Sequence, residues 1–124
     1  MIEELEPFVD LAPTIVRKRL IIECIHNGNL NEQIIYDYMV ELSSIMNMTI
    51  VTLPNLNFVK EYGYAGYMNW KESGMHVYTW NEINTRPNFM SIDIYTCKDF
   101  DIRSVINFTK EKFLDHISKI TWKE

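Results

Sequence analysis

Residues 63–96, GYAGYMNWKESGMHVYTWNEINTRPNFMSIDIYT, hold three apolar and aromatic runs in close succession, Gly63 to Asn69, Gly74 to Trp80 and Phe89 to Thr96. The separators Lys71-Glu72-Ser73 and Asn84-Thr85-Arg86-Pro87-Asn88 are polar and turn-forming. Short runs rich in β-branched and aromatic residues, joined by turns, read as strands in antiparallel hairpins. Upstream, Met48 to Leu53 reads as another strand, stopped by Pro54-Asn55 because proline removes a ladder donor. Arg19 to Ile25 is an apolar run bounded by His26-Asn27-Gly28-Asn29, a buried strand followed by a turn.

Between those two strands, Asn31 can cap a helix. Ile34, Ile35, Tyr38, Met39, Leu42, Ile45 and Met46 recur at three- and four-residue spacing, with Glu32, Asp37, Glu41 and Ser44 between them. Downstream, Asp99 or Asp101 can cap a second helix whose apolar stripe is Ile102, Val105, Ile106, Phe113 and Ile117, with His116 near its C-terminal dipole. Ser118 to Lys123 adds a last strand. The order β-α-β-β-β-β-α-β predicts an α/β (α+β) chain, a two-layer sandwich of a mainly antiparallel sheet covered on one face by two helices. Residues 17–124 read as one domain, and residues 1–16, with Glu3, Glu4 and Glu6, as an N-terminal arm.

Composition narrows the function. A chain of 124 residues with net charge −5 lacks the positive field that nucleic acid requires, but suits a cationic small molecule. Cys24 and Cys97 are the only cysteines, and no leader-like start is present, so a reducing, cytoplasmic setting is expected. No run approaches the roughly 18 apolar residues of a membrane span. His26, His76 and His116 show no ligand spacing with the cysteines, which predicts no metal site. Gly63-Tyr64-Ala65-Gly66 is not followed by the helix of a phosphate loop, so its glycines read as relief for a bend or a close contact. Taken singly, Ser73 reads as a turn residue, Cys97 as a strand thiol, and the seven methionines as core filler.

One longer pattern carries more. Glu72-Ser73-Gly74-Met75-His76-Val77-Tyr78-Thr79-Trp80-Asn81-Glu82, followed by Ser91-Ile92-Asp93-Ile94-Tyr95-Thr96-Cys97, resembles the bacterial-type S-adenosylmethionine decarboxylases. In that family a Glu-Ser-His start leads into a histidine-bearing strand and Thr-Trp-Pro-Glu, and a later Asp-containing strand ends in Phe-Thr-Cys. Gly63-Tyr64-Ala65-Gly66 is similar to the family's Gly-Val-Ser-Gly. The resemblance covers roughly residues 17 to 115.

The resemblance implies that Ser73 attacks the carbonyl of Glu72, that the chain cuts itself between them, and that a pyruvoyl cofactor is left at position 73. That ketone would take up the substrate amine and the electrons released with carbon dioxide. By the same resemblance Cys97 returns a proton to the α-carbon, Glu82 holds the ribose hydroxyls, Trp80 flanks the site, and an aromatic ring near Phe58 stacks on adenine. S-adenosylmethionine is the implied substrate, spermidine synthesis the setting, and a homodimer joined through its sheets the assembly. Three positions depart from the pattern. The family's processing histidine is Tyr78, the histidine after the serine is Gly74, and the proline before Glu82 is Asn81. His76 shares a strand face with Tyr78, about 7 Å away, and is either a displaced stand-in or a packed or solvated histidine. The alternatives are an unprocessed relative that binds S-adenosylmethionine or a partner subunit, a lyase acting on S-adenosylmethionine, and a decarboxylase of ornithine or arginine.

Overall fold

The computed structural model describes residues 1–83 and 86–124. Its elements are β1 (Lys18–His26), α1 (Glu32–Ile45), β2 (Ile50–Val59), β3 (Gly63–Trp70), β4 (Ser73–Trp80), β5 (Phe89–Thr96), α2 (Ile102–Lys112) and β6 (Ile117–Lys123). Among the described residues, the strands form one sheet of order β2-β3-β4-β5-β1-β6, with each neighbouring pair antiparallel. The two helices back one face of it, the expected α+β sandwich. Residues 1–16 precede the first strand without a helix or strand of their own. Asn84 and Thr85 of the expected β4–β5 turn lie outside the described residues.

Alternation decides which face is covered. Leu20, Ile22 and Cys24 of β1, Met75 and Val77 of β4, and Met90, Ile92 and Ile94 of β5 are buried toward the helices. Their intervening neighbours face the other side. Helix α1 adds Ile35, Tyr38, Met39 and Leu42 to the core, and α2 adds Val105 and Ile106. Six methionines, Met39, Met46, Met48, Met68, Met75 and Met90, are buried there, flexible thioethers filling irregular space between layers.

The caps follow the residue chemistry. The Asn31 side chain accepts from the Ile34 N–H at 2.9 Å, and Asp101, rather than Asp99, accepts from the Arg103 N–H at 3.2 Å. Asp99 instead takes the Lys18 ammonium at 2.7 Å. Just past α1, Asn47 adopts φ 57°, a left-handed turn that asparagine tolerates. The helices are joined by the fully buried Tyr38, whose hydroxyl meets Thr109 Oγ1 at 2.8 Å and whose ring packs on Phe108 and Phe113. Burial pushes the Tyr38 phenol above its ordinary range.

Three expectations need correction. Pro54-Asn55 does not end β2, which runs on to Val59. The strand lies at the sheet edge, where a missing N–H costs little, and its pairing with β3 shifts register between Thr52 and Asn55. Helix α2 stops at Lys112, so Ile117 opens β6, and His116 sits in the connecting turn rather than at the helix end. Ile45 is exposed, its place in the core taken by Ser43, which is buried because Trp70 Nε1 donates to its hydroxyl at 2.7 Å and the hydroxyl donates to the Met39 carbonyl at 2.8 Å.

Candidate functional site: the β3–β4 hairpin and the uncovered sheet face

Lys71 and Glu72 form the tip of the β3–β4 hairpin, with Trp70 paired to Ser73 at its base. Ser73 is also paired to Thr96 of β5 on its other side. Held between two strands, Ser73 adopts φ 134°, a region disfavoured for a residue with a side chain, at a cost of about 1–3 kcal/mol. Its neighbour explains one departure from the family pattern. A Cβ on Gly74 would lie 2.4 Å from the Met68 carbonyl oxygen, so β3 approaches too closely for histidine or any other side chain there.

The carbonyl of Glu72 points at β5, where it accepts from the Cys97 backbone N–H at 2.8 Å. The Glu72 carboxylate turns the other way, accepting from the Thr49 N–H at 2.9 Å and from its hydroxyl at 3.3 Å. The Thr49 N–H, above all, holds this carboxyl below its usual range, aided by the hydroxyl and the charge of Lys98. Lys98 is itself fixed on the Asn47 carbonyl at 2.7 Å. Cys97 is a free, exposed thiol, whereas burial pushes the Cys24 thiol up to about 12. Of the two sulfurs, only that of Cys97 is accessible for chemistry.

Ser73 and His76 line one cavity of about 340 Å3 together with Arg19, Asn69, Asp93 and Tyr95. Arg19 forks onto Asp93 at 3.1 and 3.3 Å, and Asp93 stands opposite His76 in the register of β4 and β5. The structure thus brings Glu72, Ser73 and Cys97 to one end of β4, with His76 three residues further along the strand. Tyr78 and Trp80 belong elsewhere, in a second cavity of about 300 Å3 walled by Tyr62 and Tyr64. Phe58 lies beside that cavity, edge-on to Tyr64 at 5.3 Å. Glu82 is exposed just past the end of β4, its N–H donating to Asn88 Oδ1 at 2.6 Å. The eight residues of β4 carry its ends about 24 Å apart, further than one nucleoside-sized ligand spans.

His76 and Tyr78 are both exposed on the uncovered face, their rings parallel within 4° at 6.0 Å. The aromatic row continues to Tyr67 on one side and to Trp80 and Phe89 on the other. Thr49, Lys98 and Arg19 were not singled out by sequence reasoning, and Asp93 entered only as a member of the quoted motif, without a role. The Arg19–Asp93 pair could have been guessed only from strand register, and the Thr49–Glu72 link only from knowing that β2 starts beside the hairpin tip. Among the described residues no cluster of three His, Cys, Asp or Glu side chains could hold a metal ion, and no helix is long and apolar enough to cross a membrane.

A sheet backed by two helices on one face, with a Glu-Ser bond at a hairpin tip beside an exposed cysteine, defines a narrow class of chain. The family model of S-adenosylmethionine decarboxylase matches residues 20–122, and the chain belongs to that family. No curated protein matches it.

Proposed function

We propose that the chain is a self-processing S-adenosylmethionine decarboxylase, serving spermidine synthesis in the cytoplasm. The observation that carries this reading is the state of the Glu72–Ser73 bond: its carbonyl oxygen is bound by the Cys97 N–H, and its serine is strained. Attack by Ser73 Oγ on the Glu72 carbonyl carbon places negative charge on that oxygen, where a fixed N–H stabilises it. Collapse breaks the C–N bond and leaves an ester, freeing the Ser73 nitrogen as an amine. Loss of the Ser73 α-proton then expels the Glu72 carboxylate by elimination. Water replaces the nitrogen, ammonia departs, and a pyruvoyl group caps β4. The strain at Ser73 favours the first step, because it is relieved once the peptide bond is gone.

The cavity beside Ser73 is large enough for a small keto-acyl group and the reacting end of a substrate. When formed, the pyruvoyl group supplies an electron sink for decarboxylation. The chain's own residues do the rest. The exposed Cys97 thiol, on the residue whose N–H holds the scissile carbonyl, is the proton donor to the α-carbon. His76, in the same cavity as Ser73, moves protons during processing in place of the histidine that Tyr78 replaces. Trp80, Phe58 and Glu82 hold the nucleoside end of the substrate.

Those two groups stand at opposite ends of β4. A substrate that touches both must lie between two protomers packed antiparallel through their uncovered faces, which supports a homodimer. Intact mass of the denatured protein after native purification and long incubation tests the proposal. Two fragments split between Glu72 and Ser73, the second with a pyruvoyl terminus, are expected. A single uncut chain would overturn it and leave binding without decarboxylation.

A further inference from the structure

We propose that Thr49 is a positioning residue for self-cleavage, a clamp that holds the hairpin tip so that the Glu72 carbonyl stays on the Cys97 N–H. The inference rests on the self-processing reading above and adds to it a residue remote in sequence from the cut.

Thr49 is tied to the tip three times. Its carbonyl accepts from the Lys71 N–H at 2.8 Å, its N–H donates to Glu72 Oε1 at 2.9 Å, and its hydroxyl donates to Glu72 Oε2 at 3.3 Å. A two-residue tip would otherwise rock about the Trp70–Ser73 pair, since Lys71 is exposed. With the side chain of Glu72 fixed on one side and its carbonyl on the other, the plane of the scissile peptide is set. Lys98, seated on Asn47 two residues before Thr49, places a positive charge close to the same carboxylate. The arrangement orients the bond without touching the reacting atoms, and small misplacements of a reacting group are costly in rate.

A double-mutant cycle on the cleavage rate, followed by intact mass, separates positioning from mere folding. Thr49→Val keeps shape and the backbone N–H and loses the hydroxyl, and is expected to slow cleavage about fivefold, the scale of one ordinary hydrogen bond, since the contact is long at 3.3 Å. Thr49→Ser, which restores the hydroxyl, should recover the rate. In a Glu72→Ala background the clamp is already gone, so Thr49→Val should change the rate less than about twofold. Equal slowing in both backgrounds would mean that Thr49 supports the fold only, and overturns the inference while leaving self-cleavage intact. A wild type that stays uncut overturns self-cleavage itself and the positioning role with it. Melting temperatures of the same variants carrying Ser73→Ala, which cannot cut, should agree within a few degrees. A collapse of the fold in Thr49→Val alone counts against the proposal.

Discussion

The backbone N–H of Cys97 and the carbonyl oxygen of Glu72 meet at 2.8 Å, so the residue just past β5 holds the bond before Ser73 through its main chain and leaves its thiol free. Two functions are therefore separable at one position. Cys97→Ser keeps the N–H, so cleavage should proceed near the wild-type rate. Turnover of S-adenosylmethionine, measured as released carbon dioxide, should fall by about 100-fold or more with loss of the proposed proton donor. Cleavage and turnover falling together would contradict this division.

Strain at Ser73 predicts an unusual response to glycine. Ser73→Gly removes the nucleophile and also the side chain that makes φ 134° costly. Against Ser73→Ala, the glycine variant should be about 1 kcal/mol more stable by urea denaturation, the relief of strain exceeding the entropy cost of glycine. A glycine variant less stable than the alanine one would show that the serine is not strained.

Restoring the family's histidine beside the serine should fail. Gly74→His, and even Gly74→Ala, drives a Cβ into the Met68 carbonyl. A loss of at least about 1–3 kcal/mol is expected, with cleavage no faster. A stable, faster-cutting Gly74→His chain would show that β3 yields there.

The buried His26 gives the fold a pH dependence. Desolvation lowers its pKa below 6.5, and the charge of His116 adds to this, while the Trp80 and Phe89 carbonyls oppose both. Its Nδ1 accepts from the Gly28 N–H at 3.0 Å, which requires that nitrogen to be unprotonated. The folded state therefore binds fewer protons than the unfolded one below about pH 6.5, so stability is full above that pH and is lost as pH falls toward the folded pKa, by at most about 1.4 kcal/mol per pH unit. His26→Asn, which keeps an acceptor for Gly28, should flatten the melting temperature between pH 6.5 and 5. An unchanged slope would assign the acid sensitivity to other groups.

Much of this was legible in the sequence, for identifiable reasons. The strands of residues 63–96 alternate with a period of two, and α1 with a period near 3.6, and these are the patterns that burial imposes. Pro54 misled because its effect depends on whether a strand is at an edge, a tertiary fact. Ser43 was hidden because a small polar residue is buried only when a partner as distant as Trp70 satisfies it. At the site, Glu72, Ser73 and Cys97 could be read from a familiar order of residues. Thr49 and Arg19 could not, since neither belongs to that order and their links to Glu72 and Asp93 are made by strand register.

The strand order β2-β3-β4-β5-β1-β6 has a consequence for the life of the molecule. A cut after Glu72 assigns β1, β2 and β3 to one piece and β4, β5 and β6 to the other. Strand β1 remains threaded between β5 and β6, and β3 remains zipped to β4, so the pieces are interwoven and cannot drift apart while the sheet survives. Reassembly after melting, however, would turn from an event within one chain into a meeting of two. Maturation would thus act as a ratchet: the uncut chain can fold and refold alone, whereas the matured protein depends on never having to.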